Sequence, residues 1–170
     1  AVAVADSHHL AAFTVDKIKS PGSVYVFDLQ DQKLYGMAGR LPTGIHSMAF
    51  SPSARHLACS ASDQKLLIFR ILYAGKTLSY YSKDLPDEEK AALKKQGFLG
   101  NELISLPLAA QDESIAGTIT ARSFDQKERL VAVSDNGTIL LYDESFKLLK
   151  TAQSKSGRKP SGVRFSPDDT

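Results

Sequence analysis

Four histidines, one cysteine and a run of cations are the side chains in this sequence whose types could support chemistry. His8 and His9 are adjacent, and neighbours in an extended strand point to opposite faces. With no third ligand nearby, the pair does not make a metal site. His46 and His56 flank one apolar run and have no evident acid partner, so they read as surface or satisfied histidines rather than a general base. Asp112 and Glu113 fall in a segment that reads as a solvated loop. Cys59 lies inside an apolar run and cannot form an internal disulfide, which suits a buried, reduced thiol in a cytoplasmic, or alternatively nuclear, setting. No Gly-x-x-x-x-Gly-Lys-Ser/Thr, Gly-x-Ser-x-Gly, His-Glu-x-x-His or paired-Cys motif occurs. The expectation is a chain without catalytic residues, metal or cofactor.

The cations are more suggestive. Lys147, Lys150, Lys155, Arg158 and Lys159 form a local basic stretch, and Lys155, Arg158 and Lys159 in it are candidate contacts for an acidic partner. A solvated loop explains them equally simply. The whole chain carries 21 Lys and Arg against 19 Asp and Glu, a formal net charge of +2. Such a balance supplies no field that selects a nucleic acid, so that partner is disfavoured. No apolar run approaches the roughly eighteen residues of a membrane helix. Both ends read as cut: the chain opens inside a strand-like Ala1–Ala5 and closes just after a turn signal, as a segment of a longer protein would.

The elements that position these residues are read from a repeat. Phe50-Ser51-Pro52 and Phe165-Ser166-Pro167 are near copies, with Phe124-Asp125-Gln126 at the equivalent place between them. A second anchor consists of Val26-Phe27-Asp28, Ile68-Phe69-Arg70 and Leu141-Tyr142-Asp143. A third aligns Leu57-Ala58-Cys59 with Leu130-Val131-Ala132. Allowing about 30 residues for one insertion, the anchors recur every 40 to 45 residues with four β runs per unit, the signature of a propeller blade. Leu130 to Ser134 and Thr138 to Tyr142 flank Asp135-Asn136-Gly137, and Asn-Gly marks a tight hairpin turn. That turn also accounts for the Asn136-Gly137-Thr138 glycosylation sequon.

On these anchors the chain resembles the WD-repeat β-propeller family, whose blades run as Gly-His, a strand ending Phe-Ser-Pro, a Leu-Ala strand, a Ser-x-Asp turn and a strand ending Trp-Asp. The Trp position holds Phe27, Phe69 and Tyr142. The final Asp becomes Arg70 in the middle unit, Gly-His is approximated by Gly39-Arg40 and Gly157-Arg158, and the turn Asp is Asp63 in one unit and Asn136 in the next. The resemblance implies an all-β propeller of WD-repeat type over residues 1–170. About three blades are present: the later strands of one in 8–38, a second in 45–83, a third in 114–153, and the opening of a fourth in 161–170. It also implies that Phe50, Phe69, Phe124, Tyr142 and Phe165 are core residues, with Phe27, Phe69 and Tyr142 packing where the family uses an indole. Phosphoinositide-binding propellers carry Phe-Arg-Arg-Gly, which Phe69-Arg70-Ile71 does not supply.

Residues 84–113 break the rhythm. Asp84 can cap a helix, Pro86 suits its first turn, Asp87, Glu88 and Glu89 favour its positive end, Lys94 and Lys95 its negative end, and Gly97 can stop it. The spacing predicts about three turns, followed by an apolar stretch with Phe98 and Leu99. This insertion either folds back on its own blade or docks a partner through Lys94, Lys95, Phe98 and Leu99. The reading favoured for the chain is a non-enzymatic protein-interaction scaffold whose partners are other proteins or the remainder of the propeller. The alternatives are the propeller part of a larger enzyme or of a nucleic-acid or ribonucleoprotein complex.

Overall fold

A computed structural model describes residues 1–15, 22–41, 44–71, 86–95, 108–112, 115–155 and 159–166. Among these residues, twelve strands form three four-stranded antiparallel sheets, each ordered as its strands occur in the chain. The first contains β1 (Val2–Ala5), β2 (Leu10–Val15), β3 (Gly22–Asp28) and β4 (Lys33–Leu41). The second contains β5 (Ile45–Phe50), β6 (His56–Ala61), β7 (Leu66–Arg70) and β8 (Leu108–Asp112). The third contains β9 (Ile119–Phe124), β10 (Leu130–Ser134), β11 (Thr138–Tyr142) and β12 (Leu148–Gln153). One helix, α1 (Asp87–Lys95), lies in the long connection between β7 and β8.

Three expectations change. The first sheet is complete, because Val2–Ala5 adds a strand before residues 8–38. His8 and His9 are not in a strand: a 3-10 turn, Asp6–His8, joins β1 to β2, and His9 closes it with φ of 54°. The second sheet draws its last strand from Leu108–Asp112, through the pairs Leu66↔Asp112 and Leu67↔Gln111, so it does not end by residue 83. The insertion therefore interrupts a sheet instead of separating two. An outer strand has one neighbour and needs little apolar content, which is why Ala-Ala-Gln-Asp gave no strand signal.

One turn recurs throughout. A four-residue reversal closes on a residue with positive φ whose N–H returns to the carbonyl three residues earlier. It is seen for His9 to Asp6, Ala54 to Ser51, Gln64 to Ala61, Glu128 to Asp125, Gly137 to Ser134 and Phe146 to Asp143. At Asn136-Gly137 the glycine alone is left-handed, at φ of 85°, in a three-residue hairpin loop. Side-chain oxygens fix the turns: Asp125 Oδ1 accepts the N–H groups of Lys127 and Arg129, and Asp143 Oδ1 those of Ser145 and Lys147. Gln64 holds φ of 68° with an exposed side chain. Since the left-handed region costs a non-glycine residue about 1–2 kcal/mol, less glycine's own entropic penalty, Gln64→Gly is expected to raise stability by about 0.5–1 kcal/mol. Denaturant midpoints of the two chains check this.

The sheets stack in sequence order. Leu57, Cys59, Leu67 and Phe69 of the second sheet pack on Leu10, Ala12, Val24 and Val26 of the first. Ile119, Leu130, Ala132 and Tyr142 of the third pack on Ala58, Leu66 and Ile68 of the second. Register makes the repetition explicit: Ala11↔Phe27, Leu57↔Phe69 and Leu130↔Tyr142 are equivalent pairs. Phe69 and Tyr142 are buried because a sheet lies before each of them, at 4% and 2% exposure. Phe27 is only half-buried, its ring tilted against Phe13, which stacks on Tyr25, on the outer side of the first sheet. Phe50, Phe124 and Phe165 are also half-buried and not fully enclosed, since they sit at strand ends next to a cavity or at the margin of a sheet.

Candidate functional site: the polar seam between the second and third sheets

Short polar side chains on β5 and β6 meet one long cation from β9. Ser47 and Ser60 face each other across the strand pair, their hydroxyls 3.1 Å apart. Between them enters Arg122, whose Nη1 donates to Ser47 Oγ at 2.7 Å and to Ser60 Oγ at 2.8 Å, while Nε donates to the Ala58 carbonyl at 3.1 Å. All three partners are neutral. Burial pushes the Arg122 pKa down to about 10, so the group stays charged at neutral pH, and no acidic side chain among the described residues pairs with it. Cys59 is beside it, and burial pushes that thiol up to about 12, too high for a nucleophile or metal ligand.

Glu128 and His56 form a second polar contact across the seam. Glu128 stands at the left-handed position of the β9–β10 turn, which carries its carboxylate to the Ser53 N–H at 2.8 Å. Burial alone would raise its pKa, but hydrogen bonds from Ser51 and Ser53 outweigh that and hold it below the ordinary carboxylate value. His56 Nδ1 is 3.6 Å from Glu128 Oε2, too long for a hydrogen bond but close for an ion pair. Burial lowers the His56 pKa in spite of Glu128, with Arg70 and Arg55 adding to the effect, and the ring lies edge-on to Phe146 at 4.7 Å. The expectation that His56 lacks an acid partner is thus overturned. A serine, a histidine and a glutamate are close together here, but Glu128 accepts from the Ser53 backbone N–H and Ser51 Oγ accepts from the His56 backbone N–H, so the constellation lacks the order of a nucleophilic triad.

Both shifts act in the same direction. A histidine whose folded pKa lies below 6.5 resists protonation, so its share of stability is present above 6.5 and is lost on acidification towards the folded value. Glu128 adds stability above its unfolded value of 4.5 that is lost as pH falls through the lower folded one. The melting temperature is expected to fall from pH 7 to pH 5, and His56→Gln should flatten that part of the curve while leaving the loss below 4.5. Thermal melts at matched ionic strength check this.

Tyr142 supplies a third link, its hydroxyl donating to Asp112 Oδ2 at 2.6 Å. Burial, then Asp112, raises the Tyr142 pKa, so the phenol remains a donor. Asp112 is accordingly the end of β8 and a partner between sheets, not a solvated loop residue; Glu113 lies outside the described residues.

The candidates from sequence are placed elsewhere. Lys94 and Lys95 are exposed in the last turn of α1, which is anchored by buried Leu93. Lys155 and Lys159 are exposed, and none of the four lysines has an ion-pair partner among the described residues. Phe98, Leu99 and Arg158 lie outside the described residues, as do Asp84 and Gly97. His46 is exposed, and His8 is bonded through Nδ1 to Ser7. Among the described residues no three His, Cys, Asp or Glu side chains gather as a metal site, and no helix is long and apolar enough to cross a membrane. No family model matches the chain, and no curated protein matches it.

Proposed function

We propose that the three sheets are successive blades of a WD-repeat-type propeller, and that the chain acts as a non-enzymatic platform for protein partners. The observation that carries this reading is the repeated stacking: each sheet turns the same face, marked by Phe69 or Tyr142, toward the sheet before it. The first strands come together, β1 against β5 and β5 against β9. Phe165 continues the series. It lies at the face of the third sheet with Val131, Ile139 and Leu141, around a cavity of about 340 Å3, with the Arg129 guanidinium 5.6 Å from its ring centroid. Thr120 donates to the Pro160 carbonyl and holds that segment in place. Rigid stacking of this kind leaves the loops free to vary and to bind.

Two measurements test the reading. Sedimentation of the 170-residue chain is expected to show concentration-dependent association, because no other described sheet covers the Phe13–Tyr25–Phe27 face or the Val131–Ile139–Leu141 face. A monomer with a sharp, concentration-independent melt would count against an open arc. Capture from nuclease-treated extract should yield a defined protein partner at fixed stoichiometry. That partner should be lost in Lys155→Glu/Arg158→Glu/Lys159→Glu or in Lys94→Glu/Lys95→Glu at unchanged melting temperature. Retention of nucleic acid alone, or turnover of a substrate by the purified chain, would overturn the platform reading.

A further inference from the structure

We propose that Arg122 forms the base of a binding site for a single carboxylate, presented by an acidic side chain or by a small carboxylic acid. The site is distinct from the exposed lysines considered above and does not depend on the number of blades.

Five N–H groups are available on an arginine. Nε and both hydrogens of Nη1 are taken by Ala58, Ser47 and Ser60, which fixes the plane of the group. Nη2 makes no hydrogen bond to any described residue and is not sealed from solvent. Arg122 lines a cavity of about 470 Å3 that all three sheets and their turns build: Val4 and Ala5 from the first, Ala49 and Phe50 from the second, Phe124 beside Arg122 from the third, with Ser7, Ser51 and Gln126 from the adjoining turns. No Asp or Glu among the described residues lines it. A buried cation without counter-charge is costly, and a complementary anion would relieve that cost.

The chemistry of the walls selects the anion. One cation with one free N–H2 edge balances one negative charge, so a monoanionic carboxylate matches it, whereas a phosphate dianion would leave excess charge in a partly desolvated site. Val4, Phe50 and Phe124 add apolar surface next to the cation, which suits the methylene stem of a carboxylate side chain. Gln126 at the same cavity provides a further donor; its side chain is exposed and makes no hydrogen bond to a described residue, whereas the Ser123 hydroxyl already donates to the Phe124 carbonyl.

The test uses the 15N-labelled 170-residue chain and four probes: acetyl-glutamyl-amide, its neutral counterpart acetyl-glutaminyl-amide, acetate and inorganic phosphate. Acetyl-glutamyl-amide is expected to shift the amides of Ser51, Ser123 and Gln126 saturably, with a Kd on the order of 1–10 mM. The glutaminyl probe should bind at least about tenfold more weakly, the usual scale for losing a charged hydrogen bond. Acetate binding as tightly as the glutamyl probe assigns the site to free carboxylic acids; weaker acetate binding assigns it to acidic side chains. Arg122→Met is expected to abolish the shifts. Should that variant fail to fold, Gln126→Glu places a like charge on the cavity and should weaken the glutamyl probe by about threefold or more at unchanged melting temperature. Equal binding of the glutamyl and glutaminyl probes, tighter binding of phosphate, or indifference to Gln126→Glu would each overturn the proposal.

Discussion

Phe69→Ala should lower stability by about 3–5 kcal/mol, the largest effect expected of any single truncation in the chain. Phe69 lies on β7 opposite Leu57, and both pack against the first sheet with Cys59 and Leu67. The ring is 4% exposed. Truncation would leave a cavity between two sheets whose backbones are held by their own ladders, so little collapse can fill it. Equilibrium unfolding in urea measures the change. A loss below roughly 1 kcal/mol would mean that the first and second sheets contribute little to each other's stability. The equivalent truncation at Phe27, half-buried on an outer face, should cost much less, and the difference between the two variants isolates the effect of the covering sheet.

Asp125→Ala should cost about 3 kcal/mol, from the loss of several hydrogen bonds to one enclosed carboxylate. Asp125 is 3% exposed, the only buried acid among the described residues. Its Oδ1 accepts the Lys127 and Arg129 N–H groups, and its Oδ2 accepts Nε of Arg129. Those bonds hold the turn that places Glu128 against Ser53, so the variant should also disturb the seam to the second sheet. Asp125→Asn keeps the turn acceptor and loses the charge, and an intermediate loss is expected. Chemical denaturation of both variants, with the Ser53 and Lys127 amides followed by hydrogen exchange, separates the turn from the ion pair.

The all-β architecture was legible because strand rhythm is local. Phe50 and Phe124, Leu57 and Leu130, and Phe69 and Tyr142 fall at equivalent register positions, and Asn136-Gly137 turns where a hairpin was expected. Two features were hidden by their physics. Leu108–Asp112 is an outer strand with weak alternation, separated from β7 by a helix, so nothing local announced its pairing. The seam is non-local: Ser53 meets Glu128 at a separation of 75 residues and Ser60 meets Arg122 at 62. One signal was nonetheless present. Counting back two residues from Phe50, Phe124 and Phe165 gives Met48, Arg122 and Val163. A charge at a position otherwise apolar is what a buried, functional or bridging cation looks like in a repeat. The Glu128 position had no such mark, because its left-handed turn is occupied by Ala54 and His9 elsewhere.

The two faces not stacked on another described sheet are unlike: one bears Phe13, Tyr25 and Phe27, and the other Val131, Ile139 and Leu141 with Phe165 beside them. A surface of one kind that meets a surface of the other kind can only make a head-to-tail contact, never a two-fold one. Copies joined in this way would each keep one face of either type at the ends, so association does not stop at a pair. It either bends round into a closed ring or continues as a fibre, and the rotation from one sheet to the next decides which. The stacking that buries Phe69 and Tyr142 thus gives the row of three sheets a direction, and with it a polarity.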